Sequence, residues 1–448
     1  MKGRLEWLFS MYLLYSAALA AALLLAAPWW LLGMLRHGKY RAGLGERLGR
    51  VPARVPRGRG TTWVHAVSVG EVLAVSRLIE AFRLRFPERR VVVSTTTATG
   101  QKLARERFGE ENVFYFPLDF AFAIRPWLAA LQPELVVMAE TEFWPNFLRL
   151  ARTSGARMAV VNARISDRSL AGYRRWHGLL RGVLTSIDVF LAQSEEDARR
   201  LAEIGAPRER VHVSGNLKFD ARPVPGSPAV ALLRRALEKG AAQPVIVCGS
   251  TVEGEEELLL EALSAVRQRH PKAVMIFAPR HPERFVPVAQ MVATSGLPWK
   301  RRSELTINDA LSCGVVLLDT LGELAAVYAL ADVAIVGGSF VPRGGHNILE
   351  PAQHGVPIVV GPHTENFRDI VTAFRQADAV RVVEPAELAA TLLALLSNDS
   401  ERQALGLRAA EVLRAQTGAT ERTLDALAAL LPASAKAAEP QPAARAAT

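Results

Sequence analysis

The sequence predicts an α/β fold made of two successive parallel-sheet halves behind an apolar N-terminal segment. Three observations lead there. Short apolar runs alternate with amphipathic stretches of helical length on both sides of a proline-rich break at residues 221–228, and strands alternating with such helices form parallel, doubly wound sheets. The chain has 448 residues, 50% of them hydrophobic and 22% charged, which is enough apolar material for more than one full core. The stretch from Trp7 to Leu35 carries no charge at all.

That uncharged run of 29 residues exceeds the roughly 20 needed to cross a bilayer. Trp7, Tyr12 and Tyr15 lie towards one end and Trp29 and Trp30 towards the other, as in an interfacial aromatic belt. A cleaved signal peptide fits poorly, because cleavage after Ala22 leaves a further apolar stretch and cleavage after Ala27 puts Leu25 where a small residue is wanted. Pro28 leaves a re-entrant or monotopic seat open. Arg36, Lys39, Arg41, Arg47, Arg50, Arg54, Arg57 and Arg59 follow, opposed only by Glu46, so this segment holds +7 of the net charge of +10. Bases just beyond a span keep that side cytoplasmic and attract anionic lipid. The expected divisions are an anchor at 1–36, a basic juxtamembrane segment at 37–60, a first Rossmann-like domain at 61–222 and a linker at 223–240. A second such domain with closing helices follows at 241–432, then a disordered tail at 433–448.

In the first half, residues 62–67, 90–94, 113–116, 135–139, 158–162 and 188–192 read as strands. In the second, the strands are 244–248, 273–278, 315–318, 333–336 and 358–360, and a helical region covers 400–431. Paired Rossmann-like domains are expected to hold ligands in a cleft at the C-terminal ends of their strands.

Several ligand classes fall away. The first strand leads into Ser68-Val69-Gly70-Glu71, which is not the glycine fingerprint of a nicotinamide site, and no P-loop is present. There is no basic recognition helix for nucleic acid. The two cysteines, Cys248 and Cys313, make no disulfide framework, and no Cys/His cluster has metal-ligand spacing. The strand ends that remain are polar. Arg280, beside Pro279, can pair with a phosphate. Thr320, Leu321, Gly322 and Glu323 form another such end. The segment from Gly337 to Pro351 carries four glycines, and free N–H groups at the start of its helix are expected to receive an anion, with Glu350 accepting from ribose hydroxyls. An apolar stripe from Val72 to Ile79 reads as core or as a lipid-facing patch.

Several motifs in order carry a resemblance: His65-Ala66-Val67-Ser68-Val69-Gly70-Glu71, Glu140-Thr141-Glu142-Phe143-Trp144-Pro145-Asn146, Asn162-Ala163-Arg164 and Gly215-Asn216-Leu217-Lys218-Phe219-Asp220. Two more follow, Pro279-Arg280-His281-Pro282-Glu283-Arg284-Phe285 and Asn347-Ile348-Leu349-Glu350-Pro351. From the anchor to about residue 430 the chain resembles the 3-deoxy-D-manno-octulosonic acid (Kdo) transferases, membrane-anchored glycosyltransferases of the two-Rossmann-domain GT-B type. It departs from their pattern at Val252, Pro342 and Ile348.

The resemblance implies an inverting transfer of Kdo from CMP-Kdo to lipid IVA at the cytoplasmic face of the inner membrane. It implies Glu71 as the base, with Glu140 and Lys218 supporting the transition state. Pro279, Arg280, Leu321, Gly322, Glu323, Asn347, Ile348, Leu349 and Glu350 are then the nucleotide contacts. No cofactor or metal is expected, and no Asp-x-Asp pair occurs. Blander roles stay open on the residues alone: Glu71 as a helix-start acid, Lys218 as a loop lysine, and Glu140 or Glu142 orienting Arg164. A uridine-sugar transferase and a non-catalytic nucleotide-binding protein are the competing classes.

Overall fold

The computed structural model describes residues 2–37, 42–175, 177–220, 228–312 and 314–432. The expected tail, Cys313 and most of the proline-rich break lie outside the described residues. One compact unit comprises the described residues up to Asp220 together with those from Gly418 onward, and the other comprises those between.

The first unit contains β1 (Thr61–His65), β2 (Arg90–Thr95), β3 (Val113–Tyr115), β4 (Pro133–Ala139), β5 (Arg157–Ala163), β6 (Val189–Ala192) and β7 (Val211–Val213). All pair in parallel, in the order β3-β2-β1-β4-β5-β6-β7. Successive side chains point to opposite faces. Trp63, Val92, Val136, Met158 and Val160 therefore enter one core layer, while Val64, Val91, Val137, Ala159 and Val161 enter the other. Both faces are covered, so the central strands read as continuous apolar runs. The stripe from Val72 to Ile79 belongs to the second of these layers, and only Leu73 faces outward; it is core.

The second unit contains β8 (Val245–Thr251), β9 (Val274–Pro279), β10 (Trp299–Arg301), β11 (Gly314–Leu317), β12 (Val333–Val336), β13 (Ile358–Val360) and β14 (Arg381–Val382), ordered β10-β11-β9-β8-β12-β13-β14. The alternation repeats, with Ile246, Met275 and Phe277 on one side and Val245, Val274 and Ile276 on the other.

The central strands lie where the sequence analysis expects them. Three short strands, β7, β10 and β14, were not expected. Each is an edge strand with half-buried or exposed residues, so it lacks the apolar signal of a buried strand. Residues 228–240 are not linker: Pro228–Gly240 is a helix whose Leu233, Ala236 and Leu237 are buried with Val245 and Val247. The expected helical region splits at Gly418 into Asp399–Gln416 and Ala419–Leu430. The second of these belongs to the first unit, where Leu424 and Leu427 bury beside Val75 and Leu78. Pro28 does not end the N-terminal helix, which runs from Lys2 to His37.

The described part of the basic segment is folded rather than free. Glu46 accepts from Arg54 Nη2 (2.6 Å) and from the Tyr115 N–H (2.7 Å). Arg47 donates to the Thr96 carbonyl and stacks over the Tyr115 ring at 4.5 Å.

Asp220 fastens the returning helix. Its carboxylate accepts from the Gly418 N–H (2.7 Å) and the Thr420 N–H, while its own carbonyl accepts from Arg77. Removing these bonds at a helix start should cost about 1–3 kcal/mol. Asp220→Ala is therefore expected to lower the thermal midpoint of the folded protein and to speed proteolysis near residue 417, read by a melting scan and limited digestion.

Candidate active site

A doubly wound sheet opens a crevice where its strand order reverses. In the first unit that point lies between β1 and β4. The loop after β1 enters the helix Val69–Arg85, and Glu71 sits in its first turn. The loop after β4 begins with Glu140.

Glu71 is buried at 8% exposure. One carboxylate oxygen accepts from the Val67 N–H at 2.8 Å and the other from the Ser68 hydroxyl at 3.1 Å. The helix-start role is thus real, and it holds the carboxyl in place. Burial pushes its pKa up to about 7, and the charges of Glu140 and Glu142 add to the rise against those two hydrogen bonds. Burial also raises the pKa of Glu142.

Glu140 is held with φ of 56° while its N–H donates to the Val161 carbonyl (2.9 Å). Left-handed backbone at a non-glycine residue is sparsely populated and clusters at functional sites. The next residue on β5, Asn162, has φ of 53° and is fully buried. Its side-chain oxygen accepts from the Leu217 N–H (3.0 Å), and its carbonyl accepts from Gln193 Nε2 (2.9 Å). Gln193 in turn accepts from Asn216 Nδ2 (2.8 Å), and Asn216 accepts from the Lys218 N–H (3.0 Å). The end of β5 therefore steers both the Glu140 loop and the Lys218 turn. Glu71, Glu140 and the Lys218 turn all lie at the C-terminal end of one sheet. Sequence reasoning missed this Asn162–Gln193–Asn216 relay, although two of its members lie in quoted motifs.

In the second unit the reversal lies between β8 and β12. A fully buried acid, Glu255, closes it. Its carboxylate accepts from the N–H groups of Val252 (3.0 Å), Gly338 (2.8 Å), Ser339 (3.0 Å) and Phe340 (2.9 Å). Two of the four glycines of this turn are packed against the protein itself: a Cβ on Gly337 would come within 2.8 Å of Glu255 and the backbone of Ser250 and Thr251, and one on Gly338 would meet the His346 ring. The following helix, Leu349–Gln353, is only five residues long, and the Leu349 N–H is taken by Asn347 Oδ1 (3.1 Å). The side chains of Ile348 and Leu349 are wholly buried, which leaves their backbone groups as the part of each residue able to face a ligand. Buried Ile348 supports the turn from within.

Charged side chains also lie at these strand ends. Exposed Arg280 follows β9, its N–H donating to the Thr251 carbonyl (2.9 Å). Half-buried Glu350 accepts from Asn347 Nδ2 (3.3 Å). Burial raises the Glu350 pKa, against the hydrogen bond from Asn347 and the charge of Arg280. Burial, with the charges of Arg280 and His281, lowers the pKa of His346 to about 4, so that ring is neutral. Pro279 ends β9 and is buried. Leu321 is 70% exposed, while Glu323 is committed to Thr320 (2.6 Å) and Arg302 (3.2 Å). Among the described residues, no three His, Cys, Asp or Glu side chains are grouped to hold a metal ion.

Four donors converge on Glu255, and bonds to a charged acceptor are worth about 1.5–3 kcal/mol each. Glu255→Gln is expected to lose roughly 2–4 kcal/mol, seen as a lower thermal midpoint, because an amide keeps one acceptor oxygen and turns a donor towards the N–H groups.

Comparison with known proteins agrees with this architecture. Residues 42–221 match the family model described as 3-Deoxy-D-manno-octulosonic-acid transferase (kdotransferase). A 3-deoxy-D-manno-octulosonic acid transferase of Bordetella pertussis is 39% identical over 427 residues, covering 90% of this chain and 96% of that protein. Its counterpart from Haemophilus influenzae is 33% identical, covering 88% and 92%. A solved glycosyltransferase from Rickettsia africae ESF-5 is 14% identical and superposes with a TM-score of 0.54 over 83% of this chain and 99% of that one. At that identity the likeness speaks to the fold, which is the GT-B type expected from the sequence. Two parallel sheets with polar strand ends, together with relatives matched along almost their whole length, make this chain a member of the 3-deoxy-D-manno-octulosonic acid transferase family, glycosyltransferases of lipopolysaccharide biosynthesis.

Proposed function

We propose that the protein transfers Kdo from CMP-Kdo to a hydroxyl of lipid IVA, with inversion and without a metal, at the cytoplasmic face of the inner membrane. The observation that carries the reading is Glu71: a carboxylate fixed by two hydrogen bonds at the switch point of the first sheet, with its pKa raised to about 7. A general base works best when its pKa lies near the operating pH.

In this reading Glu71 takes the proton of the acceptor hydroxyl. The hydroxyl oxygen bonds to the anomeric carbon of Kdo. The bond from that carbon to the phosphate oxygen breaks, and its electron pair leaves with CMP. Each Glu71 oxygen already accepts one hydrogen bond and keeps lone-pair capacity for the incoming proton. Lys218 offsets the carboxylate of Kdo, and Glu140 supports the charge that develops at the sugar. Arg280 pairs with the leaving phosphate, while Asn347 and Glu350 hold the ribose. Leu321 and Gly322 serve as an exposed wall for the nucleotide, and Glu323 acts by holding Arg302. A guanidinium opposite a single phosphate can do the charge stabilisation that a cation does for a diphosphate.

Mass spectrometry of lipid IVA after incubation with CMP-Kdo and EDTA tests the reading. Kdo-sized increments are expected with the unaltered protein, and their absence with active lipid and donor overturns it. Glu71→Gln is expected to lose about 10²–10⁴-fold in rate.

The base acts deprotonated, so kcat/KM should rise with pH through about 7 and fall about tenfold per unit well below it. Glu142→Gln removes one of the charges that raise Glu71, so the acid limb of this profile is expected to move to lower pH while the maximal rate stays similar. An unmoved limb in a rate-versus-pH series removes Glu71 as the titrating group.

A further inference from the structure

The N-terminal helix is long and apolar enough to cross a membrane over Met11–Trp29. Its contacts are at odds with crossing. Asn146 Nδ2 donates to Ser16 Oγ at 3.0 Å, Arg149 stacks over the Tyr12 ring at 4.7 Å, and Tyr15 hydrogen-bonds Asp119. The covered positions continue along the helix: Leu19, Leu23 and Ala27 are half-buried, whereas Leu14 is 71%, Leu25 83% and Trp29 84% exposed. A spacing of four places the covered residues on one stripe of the helix.

The chain then returns to the same place. From Gly43 it wraps the first unit, and the Leu118 N–H donates to the Arg47 carbonyl at 2.8 Å. Asp119, the neighbour of Leu118, is the residue that holds Tyr15. The helix between Ser16 and His37 is about 30 Å long at 1.5 Å per residue, about the thickness of the hydrocarbon layer. If it crossed, adjacent residues of one folded unit would have to sit on opposite faces of the bilayer.

We infer that this helix does not cross the membrane but lies in a single leaflet, its covered stripe on the first unit and its Leu14–Leu25–Trp29 side in the acyl chains. The inference rests on the membrane-bound reading above. Phe122 (61% exposed) and Leu48 (46%) extend the apolar face beside it, since Gly49, next to Leu48, abuts the Phe122 carbonyl. An interfacial helix of this kind buries one side in the acyl boundary and keeps both ends on one side. The chain thereby enters the bilayer as a monotopic body, with the loops after β3 and β4 at the lipid surface.

The test uses the full chain in a Gram-negative host, with Cys248→Ala and Cys313→Ala and one cysteine in a flexible tag ahead of Met1. A membrane-impermeant maleimide should leave the tag unlabelled in intact spheroplasts and label it after permeabilisation. Labelling of intact spheroplasts overturns the inference. In the same untagged background, Tyr12→Cys with Arg149→Cys should form an oxidative cross-link, whereas Leu14→Cys with Arg149→Cys should not. A cross-link in neither pair, or in both equally, also overturns it. Release of the protein by a carbonate wash would remove the membrane reading itself. Kdo transfer assayed in the same membranes reports separately on the proposed reaction.

Discussion

In each sheet a buried carboxylate reaches back from the helix start after the first strand to hold backbone N–H groups at the point where the strand order reverses. Glu71 does this in the first unit and Glu255 in the second. A parallel sheet covered on both faces leaves polar chemistry only at its strand ends, and such ends are loops that need their own fastening. The two acids answer that need to different degrees. Glu255 receives four N–H donors and has nothing left to give. Glu71 receives one N–H and one hydroxyl, and two further acids stand nearby. The same device is therefore saturated with backbone donors in one sheet and left with open lone pairs in the other.

Around Glu71 the neighbouring loops are tied to the end of one strand by hydrogen bonds. Strand β5 ends in two contacts, one to the Glu140 loop through the Val161 carbonyl and one to the Lys218 turn through Asn162. Asp220 then ties that turn to the returning helix, whose Arg422 donates to the Ser214 carbonyl (2.9 Å). Positioning runs from the far end of the chain, and a lysine on a short turn gains a fixed origin. On the donor side the design differs. Glu255 and His346 pack against the first two glycines of the glycine-rich turn, and Asn347 donates to Glu350 beyond it.

The apolar N-terminal helix carries information in its contacts that its composition does not hold. Length and lack of charge are the signature of a span. They say nothing of Tyr12, Tyr15 and Ser16 meeting Arg149, Asp119 and Asn146, because those partners lie more than a hundred residues away in the chain.

By itself the sequence determined the α/β class, the central strands and the apolar helix. Each of these rests on a local signal, an apolar run or a period, whereas Glu71, Glu140, Lys218, Arg280, Asn347 and Glu350 stood out through motifs that resemble those of a known family. Only the tertiary structure decided what these residues do to one another. It turned the supposed linker into a core helix and moved the last helix to the first unit, since an amphipathic face does not name the surface that covers it. It buried Ile348 and Leu349 and filled the glycine turn with Glu255, since the occupant of a turn is set by a residue distant in sequence. It also raised Glu71 towards neutrality, because a pKa is a property of desolvation and neighbouring charge, and both exist only once the chain has folded.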